Sequence, residues 1–423
     1  MAGQIPPRMA PETLDLARWI RPGDSLAWGQ AAAEPEALTA ALSAQAAALG
    51  PLTATIGYSL TETPDPALAG ALRFRSYCGS GTNRRLERAG CLEILPVPYS
   101  ALARVLDPVD VLFLHLPPAG PEGRHNLGLL HEYIAPLIAR ARCIIAEVND
   151  RMPDVPGEAT IGPEQIDVIV ETSRPLRELR LPAPGAAERQ IAAHVAGLVE
   201  DGSVLQMGLG QLPEAILAAL SGHRDLGIHS GVIGDSVADL AEAGVITNAR
   251  KATDRGLSVT GWLLGTRRLY DFAHRNPSLR LCASSYTHDP AVLAGHDRFV
   301  AVNSAVEVDL TGQINAETAG GRYIGSVGGA AEFLRGAHRS RGGLPVIALP
   351  ATVAKTGASR IVAALSGPVS TPRSEAGIIV TEHGIADLRG RTLRERRRLM
   401  LEIAAPAHRA ALAEADGMAA RPL

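Results

Sequence analysis

Residues 204–251 read VLQMGLGQLPEAILAALSGHRDLGIHSGVIGDSVADLAEAGVITNARK, a pattern that predicts an α/β fold. The apolar run Val204 to Met207 meets the turn Gly208-Leu209-Gly210, and a segment with a proline near its start follows. This is the order of strand, glycine turn and helix. A second short run, Leu226 to His229, ends at Ser230-Gly231. We therefore expect two strand ends with small residues at one edge of a sheet, where α/β proteins bind ligands.

Length, charge and cysteine content restrict the kind of protein. At 423 residues the chain is too long for one typical core, so two domains are expected. The net charge of -3 gives no reason to expect nucleic acid, and acidic residues and leucines interrupt the basic run 389–398. No apolar run reaches the roughly 18 residues of a membrane span, and the N-terminus lacks the apolar core of a signal peptide. The 4 cysteines form no CxxC pair, so a cytoplasmic protein without disulfides is expected.

Two parts of the chain resemble each other at a constant offset. Gly23 and Gly29 in the first half recur as Gly202 and Gly208 in the second, each before or after a short apolar run. Each half shows strand, turn, helix and strand in succession, which favours parallel α/β architecture in both. The pattern predicts an internal duplication.

The join between the two halves is expected in a segment rich in proline, arginine and glycine. Residues 174–187 read RPLRELRLPAPGAA and lack a clean period. We therefore predict an N-terminal α/β domain over residues 1–185 and a C-terminal α/β domain over residues 186–423.

Two glycine-rich turns are candidates for ligand binding. Gly208-Leu209-Gly210 is not a dinucleotide fingerprint, because Pro213 stands where the third glycine would be. It either shapes the strand-to-helix connection or contacts a ligand. Residues Gly325 to Gly329 precede a second helix, and amides there could cradle a phosphate or hold an oxyanion. The alternative for this turn is a purely structural need for positive φ.

Carboxylates that follow apolar runs are candidates for a nucleophile or base. Glu62, Glu307 and Glu382 occupy such positions, where partial desolvation and rigid placement would suit that role. Each has a structural alternative. Ser59 to Glu62 fits the S-x-x-E capping box of a helix, Glu307 fits the wet face of a strand, and Glu382 fits an ordinary loop.

Other kinds of chemistry find no support in the sequence. The 12 histidines show neither HxH nor HExxH spacing, so no metal site is predicted. A GxSxG nucleophile elbow is also missing from the sequence.

Several motifs in the same order and spacing resemble one family. The resemblance covers about residues 186 to 415, and the N-terminal half follows more weakly. The motifs are LQMGLGQLPEAI, LGIHSGVIGDSVADLAEAGVITNARK, VNSAVEVDLTGQINAE, GSVGGAAEFLRGA, SRIV and VTEHGIADLRGRTLRER. Together they are similar to the acetyl-CoA hydrolase/transferase family, which includes 4-hydroxybutyrate and acetate CoA-transferases.

This resemblance implies a class I CoA-transferase fold of two similar α/β domains with the active site between them. It also implies covalent catalysis, in which a glutamate attacks an acyl-CoA thioester and passes through an acyl anhydride to a glutamyl-CoA thioester. By matching positions, Gly208 to Leu212 (Gly208, Leu209, Gly210, Gln211 and Leu212) should lie against CoA. Gly328 and Gly329 should contribute to the acyl or CoA pocket.

The sequence departs from the family pattern at the nucleophile. In the 4-hydroxybutyrate-type enzymes the motif reads like HTEM or HSEM, whereas here it is His229-Ser230-Gly231-Val232, and glycine has no side chain. The chain resembles a branch of bacterial itaconate or short-chain acyl CoA-transferases that use a glutamate from the N-terminal half. Glu62, which follows the counterpart strand of the first half, is therefore our candidate nucleophile, and Glu307 ranks second.

These expectations lead to one hypothesis with two alternatives. The chain is expected to transfer CoA between a short-chain acyl-CoA and a free carboxylate, with CoA as a substrate and no tightly bound cofactor. The alternatives are an acyl-CoA hydrolase that uses the same site and a non-catalytic CoA-binding protein. Gln30, Tyr58 and Tyr323 are candidates for lining the acyl pocket, and a homodimer is the expected assembly.

Overall fold

The computed structural model describes residues 5–106 and 108–415, which form two compact units. The first unit contains residues up to Arg180 together with 259–287. The second contains 181–258 and the chain from His288 onwards. The boundary predicted at residue 185 places residues 259–287 in the C-terminal domain, whereas the structure groups them with the first unit. The reason is backbone pairing, since Leu281 bridges to Gly157 and Ala283 bridges to Glu132.

The secondary-structure elements are numbered in chain order. The strands are β1 (Arg8–Met9), β2 (Ser25–Trp28), β3 (Leu52–Ile56), β4 (Leu72–Ser76), β5 (Leu92–Ile94), β6 (Val111–Leu116), β7 (His125–Asn126), β8 (Cys143–Asn149), β9 (Thr160–Ile161), β10 (Val168–Thr172), β11 (Val204–Met207), β12 (Gly227–Ile228), β13 (Val232–Ile233), β14 (Ser258–Thr260), β15 (Trp262–Leu263), β16 (Leu279–Leu281), β17 (Phe299–Asn303), β18 (Glu307–Asp309), β19 (Ile314–Asn315), β20 (Thr318–Ala319), β21 (Arg322–Tyr323), β22 (Leu344–Ala348), β23 (Ile361–Val362), β24 (Ile378–Thr381) and β25 (Gly384–Asp387). The α-helices are α1 (Glu36–Leu49), α2 (Arg84–Arg88), α3 (Leu102–Val105), α4 (Ala186–Ala196), α5 (Gln211–Ala219), α6 (Asp235–Glu242), α7 (Arg267–Ala273), α8 (Ser284–Thr287), α9 (Pro290–Ala294), α10 (Ala330–Arg339), α11 (Leu393–Ile403) and α12 (Pro406–Ala415).

The first unit is built on an 8-stranded parallel sheet in the order β1-β10-β8-β6-β2-β3-β4-β5. Its central strands β6 and β8 are buried along their whole length, as expected for parallel strands covered on both faces. Helix α1 connects β2 to β3 and turns one apolar stripe inward, because its buried leucines and alanine are three or four residues apart. These buried residues are Leu38, Leu42, Ala46 and Leu49.

The second unit is built on a 6-stranded sheet in the order β12-β11-β17-β22-β24-β25. Its strands are parallel except for the β24–β25 hairpin at one edge. Helices α9 and α10 pack together, and Phe299 of β17, Leu293 of α9 and Phe333 of α10 share one core cluster. The mixed α/β class with a large parallel sheet is therefore as predicted.

Three neighbouring strands have the same order in both units. In the first unit β2 lies between β6 and β3, and in the second β11 lies between β17 and β12. These are the strands that the repeated glycines accompany in the sequence. The internal duplication itself stays a prediction. In the part of the chain that the structure covers, no helix is both long and apolar enough to cross a membrane.

One buried histidine of the first unit makes folding sensitive to acid. His131 is fully buried, both ring nitrogens are without a hydrogen-bond partner, and burial lowers its pKa from 6.5 to about 3. Below pH 6.5 His131 is protonated in the unfolded chain but stays neutral in the folded chain. The free energy of unfolding therefore falls as the pH drops from 6.5 towards 3. Between pH 7 and pH 4 the free energy of unfolding should fall by up to about 3 kcal/mol less in His131→Phe than in the wild type. Urea unfolding at pH 7 and pH 4 measures it, and equal acid sensitivity in both proteins would refute the assignment.

Candidate functional site

Two helices of the second unit begin at the same edge of its sheet. Helix α5 follows β11 after a three-residue turn, so its N-terminus lies at the carboxyl edge of the parallel strands. Helix α10 packs on β17 and β22, and only the short turn 340–343 separates its last residue from the start of β22. Its N-terminus therefore points towards the carboxyl edge as well. Helix N-termini carry unpaired N–H groups and a partial positive charge, so this edge is suited to an anion such as a phosphate.

The first glycine turn has the strand-turn-helix geometry predicted from the sequence. Gly208, Leu209 and Gly210 are partly exposed, and Gly210 has a φ of 125°, a conformation that favours glycine. Gln211 begins α5, where its side-chain amide donates to the carbonyl of Ala183 at 2.5 Å, and Leu212 is buried. Of the five predicted CoA contacts in this turn, Leu212 is buried and the other four are partly exposed.

The second glycine turn lies at a helix start and contains a glycine with positive φ. Gly329 is the N-cap of α10, so the preceding amides lie at a helix start. Gly328 has a φ of 56°, so this turn has the positive φ that the structural alternative predicted. Both glycines are partly exposed. Backbone amides at this position could stabilise an anion without any side chain.

His288 fills the space beside two of the site's glycines. A Cβ built on Gly231 would lie 2.9 Å from the Cε1 atom of His288 and 3.0 Å from its Nε2 atom. A Cβ on Gly329 would lie 2.3 Å from the Cδ2 atom of the same ring. The ring is buried and packs on Phe333, with centroids 4.4 Å apart. The missing side chains of Gly231 and Gly329 are therefore what allow an imidazole at this place.

Ser230 fixes the strand end that leads to Gly231. Its hydroxyl accepts from the N–H of Met207 at 3.3 Å and lies within donating distance of two carbonyls, those of Met207 at 3.0 Å and Val232 at 2.8 Å. Met207 is the last residue of β11, so the Gly208 turn and Gly231 are held side by side. The edge predicted from residues 204–251 is thus present in the second unit.

Glu62 lies in a loop of the first unit and is more exposed than we predicted. Its side chain is 85% exposed and pairs with Arg85. The prediction of a partly desolvated carboxylate at a strand end is wrong, because β3 ends at Ile56 and the loop carries Glu62 beyond the sheet. The capping-box interpretation is also wrong. Residues 59–63 form no helix, and the Ser59 hydroxyl bonds to Glu34 instead.

The other two carboxylates have structural partners. Glu307 is buried, and its Oε1 accepts from the amide of Asn315 at 3.0 Å and from the N–H of Ser366 at 2.7 Å. It does not occupy the wet face of a strand. Glu382 accepts a hydrogen bond from the N–H of Ala351 at 2.8 Å. Of the three candidates, Glu62 is by far the most exposed, at 85% against 18% for the Glu382 side chain.

The candidate acyl-pocket residues differ in what they can offer. Gln30 is buried. Its side-chain oxygen accepts from the Tyr58 N–H at 2.9 Å and from the Tyr77 hydroxyl at 2.7 Å, and its side-chain nitrogen donates to Glu132 at 2.7 Å. It therefore supports the backbone at Tyr58, and its place in the acyl pocket stays a prediction. Tyr58 is partly exposed, and the partly exposed Tyr323 donates its hydroxyl to a glutamate at 3.0 Å.

The structure also brings together residues that the sequence analysis missed. Glu34 is buried against the loop that carries Glu62, and His288 separates two glycines of the second unit. Burial raises the pKa of Glu34, which the neighbouring hydroxyls oppose. The alternating hydroxyl residues Ser59, Thr61 and Thr63 are a pattern in the sequence that could have indicated a buried acceptor such as Glu34. No pattern in the sequence indicated the role of His288. Among the described residues no cluster of histidine, cysteine or acidic side chains could hold a metal ion.

Comparisons with known proteins agree with this architecture. The family described as acetyl-CoA hydrolase/transferase C-terminal domain matches residues 265–416. The chain is 41% identical over 307 residues to the 4-hydroxybutyrate coenzyme A transferase of Clostridium kluyveri, covering 72% of each chain. It is 32% identical over 412 residues to the succinyl-CoA:cyclohexane-1-carboxylate CoA transferase of Geobacter metallireducens, covering 95% of this chain and 93% of the relative.

A solved structure extends the similarity to the fold. RipA from Yersinia pestis is 32% identical, with a TM-score of 0.93 and coverage of 98% of each chain. The similarity thus spans both units and is not confined to the second. The chain belongs to the acetyl-CoA hydrolase/transferase family, and the relatives from Clostridium kluyveri and Geobacter metallireducens are CoA-transferases.

Proposed function

We propose that the protein transfers CoA between a short-chain acyl-CoA and a free carboxylate, with Glu62 as the nucleophile. The observation that carries the proposal is the similarity of nearly the whole chain to CoA-transferases, in combination with the single candidate carboxylate that is exposed. The glycine-lined helix N-termini of the second unit support CoA binding there, since phosphates are the anions such termini bind. The name of the Geobacter metallireducens relative pairs an acyl-CoA donor with a carboxylate acceptor.

The proposed reaction proceeds in two half-reactions. A carboxylate oxygen of Glu62 attacks the carbonyl carbon of the thioester, the C–S bond breaks, and an acyl-glutamyl anhydride and CoA thiolate result. The thiolate then attacks the Glu62 carbonyl carbon, which releases the acyl group as a carboxylate and leaves a glutamyl-CoA thioester. The second carboxylic acid reverses these steps and leaves with CoA. One thioester is consumed and one is formed, so its energy is conserved.

Residues of the chain have separate roles in this scheme. Arg85 pairs with Glu62 and lies directly beside the carboxylate that makes the attack. The backbone amides at Gly328 and Gly329 are candidates for stabilising the oxyanion or the CoA phosphates. Gly208 to Leu212 are proposed to contact CoA. The cytoplasmic location and the homodimer expected from the sequence stay predictions.

The alternative in which water is the acceptor makes a different prediction about thiols. A hydrolase releases free CoA thiol without any added acid, whereas a transferase produces a new acyl-CoA and no net thiol. We therefore expect acetyl-, butyryl-, 4-hydroxybutyryl- and succinyl-CoA to be turned over only when a second carboxylate is present. Thiol release measured with a disulfide reagent and acyl-CoA products measured by chromatography separate the cases.

The outcomes of this assay are distinct. New acyl-CoA without thiol release supports the transferase. Thiol release that is independent of added acid would establish the hydrolase. The non-catalytic alternative, which Gly231 motivates, predicts CoA binding with neither product, and for that reason binding should be measured in parallel by calorimetry.

A further inference from the structure

We propose that Glu34 is a positioning residue that holds the loop of residues 59–63 so that Glu62 faces outward. We call these five residues the Glu62 loop. The inference rests on the proposed role of Glu62 as nucleophile. It concerns a buried carboxylate that does not itself meet the substrate, since Glu34 is 1% exposed.

Three hydroxyl groups of the Glu62 loop donate to this one carboxylate. Thr61 and Thr63 donate to the Oε1 atom of Glu34 at 2.9 Å and 2.7 Å. Ser59 donates to its Oε2 atom at 3.1 Å. A fourth hydroxyl, that of Thr39 in helix α1, approaches the Oε1 atom at 3.1 Å. Both oxygens of Glu34 are therefore used, and the loop supplies most of the donors.

The sequence positions of these donors determine where Glu62 points. Thr61 precedes Glu62 and Thr63 follows it, and both side chains converge on the same buried carboxylate. The peptide between two such anchors has its remaining side chain directed away from Glu34. The large exposed fraction of Glu62 and its pairing with Arg85 are the observed consequence.

Local bonds within the Glu62 loop reinforce this arrangement. The Thr61 N–H donates to the Ser59 hydroxyl at 3.2 Å, and the Thr63 N–H donates to the Thr61 hydroxyl at 3.3 Å. Such turns close the loop locally but do not attach it to the sheet. Glu34, which follows β2 and the short 3₁₀ turn Ala31–Ala33, adds a side-chain attachment to the backbone bridge between Ser59 and Gly81.

Correct placement of a nucleophile affects the rate more than the binding of substrate. A displacement of about 1 Å in a reacting group can cost about 10²-fold in rate. The double variant Thr61→Val/Thr63→Val keeps the shape of both side chains and removes both hydroxyls. We expect it to lower kcat by roughly tenfold or more while KM for the acyl-CoA changes by less than about threefold. The conservative variant Thr61→Ser/Thr63→Ser should recover most of the rate.

Thr172 provides a matched control in the same unit. Its hydroxyl donates at 3.0 Å to Glu147, another fully buried carboxylate, and it lies outside the Glu62 loop. Thr172→Val removes one bond of the same kind, so it shows how the loss of a threonine bond to a buried carboxylate affects stability and rate away from the Glu62 loop. Unfolding in urea shows that each variant is folded, and Glu34→Gln, which retains the size of the side chain, serves as a second variant.

The experiment compares kcat, KM and the rate of glutamyl-CoA formation at Glu62, measured by intact mass after borohydride treatment. A lower kcat in the double threonine variant, with a normal Thr172→Val protein and rescue by serine, supports the inference. Normal kcat in the double variant, while Glu62→Ala is inactive, would overturn the role of Glu34 and leave the proposed function intact. Full activity in Glu62→Ala would overturn both the nucleophile and its positioning.

Discussion

Replacement of Glu62 by alanine is expected to lower kcat by roughly 10⁴-fold or more, because the covalent route through the glutamyl-CoA thioester is lost. The acceptor carboxylate would then have to attack the thioester directly. The measurement is the rate of new acyl-CoA formation, together with intact mass after incubation with acyl-CoA and borohydride. Wild-type protein should show a mass change that maps to Glu62, and the variant should show none.

The exposure of Glu62 makes this loss specific to the reaction. An exposed ion pair such as that with Arg85 contributes about 0–1 kcal/mol to stability, so Glu62→Ala should unfold at nearly the wild-type urea concentration. Asp65→Asn is the matched control. Asp65 lies 3.8 Å from Arg85 and accepts from the N–H of Ala67, a bond that asparagine can keep.

The two variants together distinguish the possible errors. An active Asp65→Asn and an inactive Glu62→Ala are the expected pair. A covalent adduct at a different glutamate would retain the family mechanism and remove Glu62 from it. An adduct that persists unchanged in Glu62→Ala would contradict the assignment directly.

The second large effect is expected at Gly231, the position at which the sequence departs from the family pattern described above. Gly231→Glu should weaken CoA binding by roughly tenfold or more, which corresponds to about 1.4 kcal/mol or more. The cause is the ring of His288, which the new Cβ would meet at 2.9 Å and which also packs beside Gly329 at the start of α10. Calorimetric titration with CoA measures the effect.

Overpacking at the same place should also reduce stability. Inserting a side chain into a filled space typically costs about 1–3 kcal/mol. The double variant Gly231→Glu/His288→Ala should recover stability and part of the CoA affinity, because the ring is the group in the way. Gly222→Glu is the matched control, since a Cβ at Gly222 meets nothing within 4 Å.

The result at Gly231 also bears on which half of the chain supplies the nucleophile. We expect Gly231→Glu not to restore the covalent adduct in a Glu62→Ala background, because the His288 ring occupies the space that the glutamate needs. Restoration of the adduct by this single change would show that the His288 ring moves aside and leaves room for the glutamate.

The sequence by itself determined the fold class and the edge at which to look for the site. Alternation of apolar runs and glycine turns predicted parallel strands with helices between them, and β11 with α5 has the predicted order. Such local patterns are readable because a helix following a strand needs a turn residue and an apolar stripe at short spacing. The family resemblance then identified Gly231 as a departure and Glu62 as a candidate.

The tertiary structure alone decided how each candidate carboxylate is used. Glu62 and Glu307 both follow apolar runs, yet one is exposed and the other accepts bonds from Asn315 and Ser366. Burial depends on which distant segments pack over a residue, and this information is not contained in the neighbouring sequence. Glu34 illustrates the same point, because its hydroxyl donors Ser59, Thr61 and Thr63 come from the connection after a different strand.

The membership of residues 259–287 in the first unit is the clearest case of a feature that only the tertiary structure decides. Nothing in their composition distinguishes them from the second half, and the boundary predicted near residue 185 gave them to the C-terminal domain. Their backbone bridges to Gly157 and Glu132 place them otherwise. These bridges are made by backbone N–H and C=O groups, which nearly every residue has. The local sequence pattern therefore does not predict which distant segments they join.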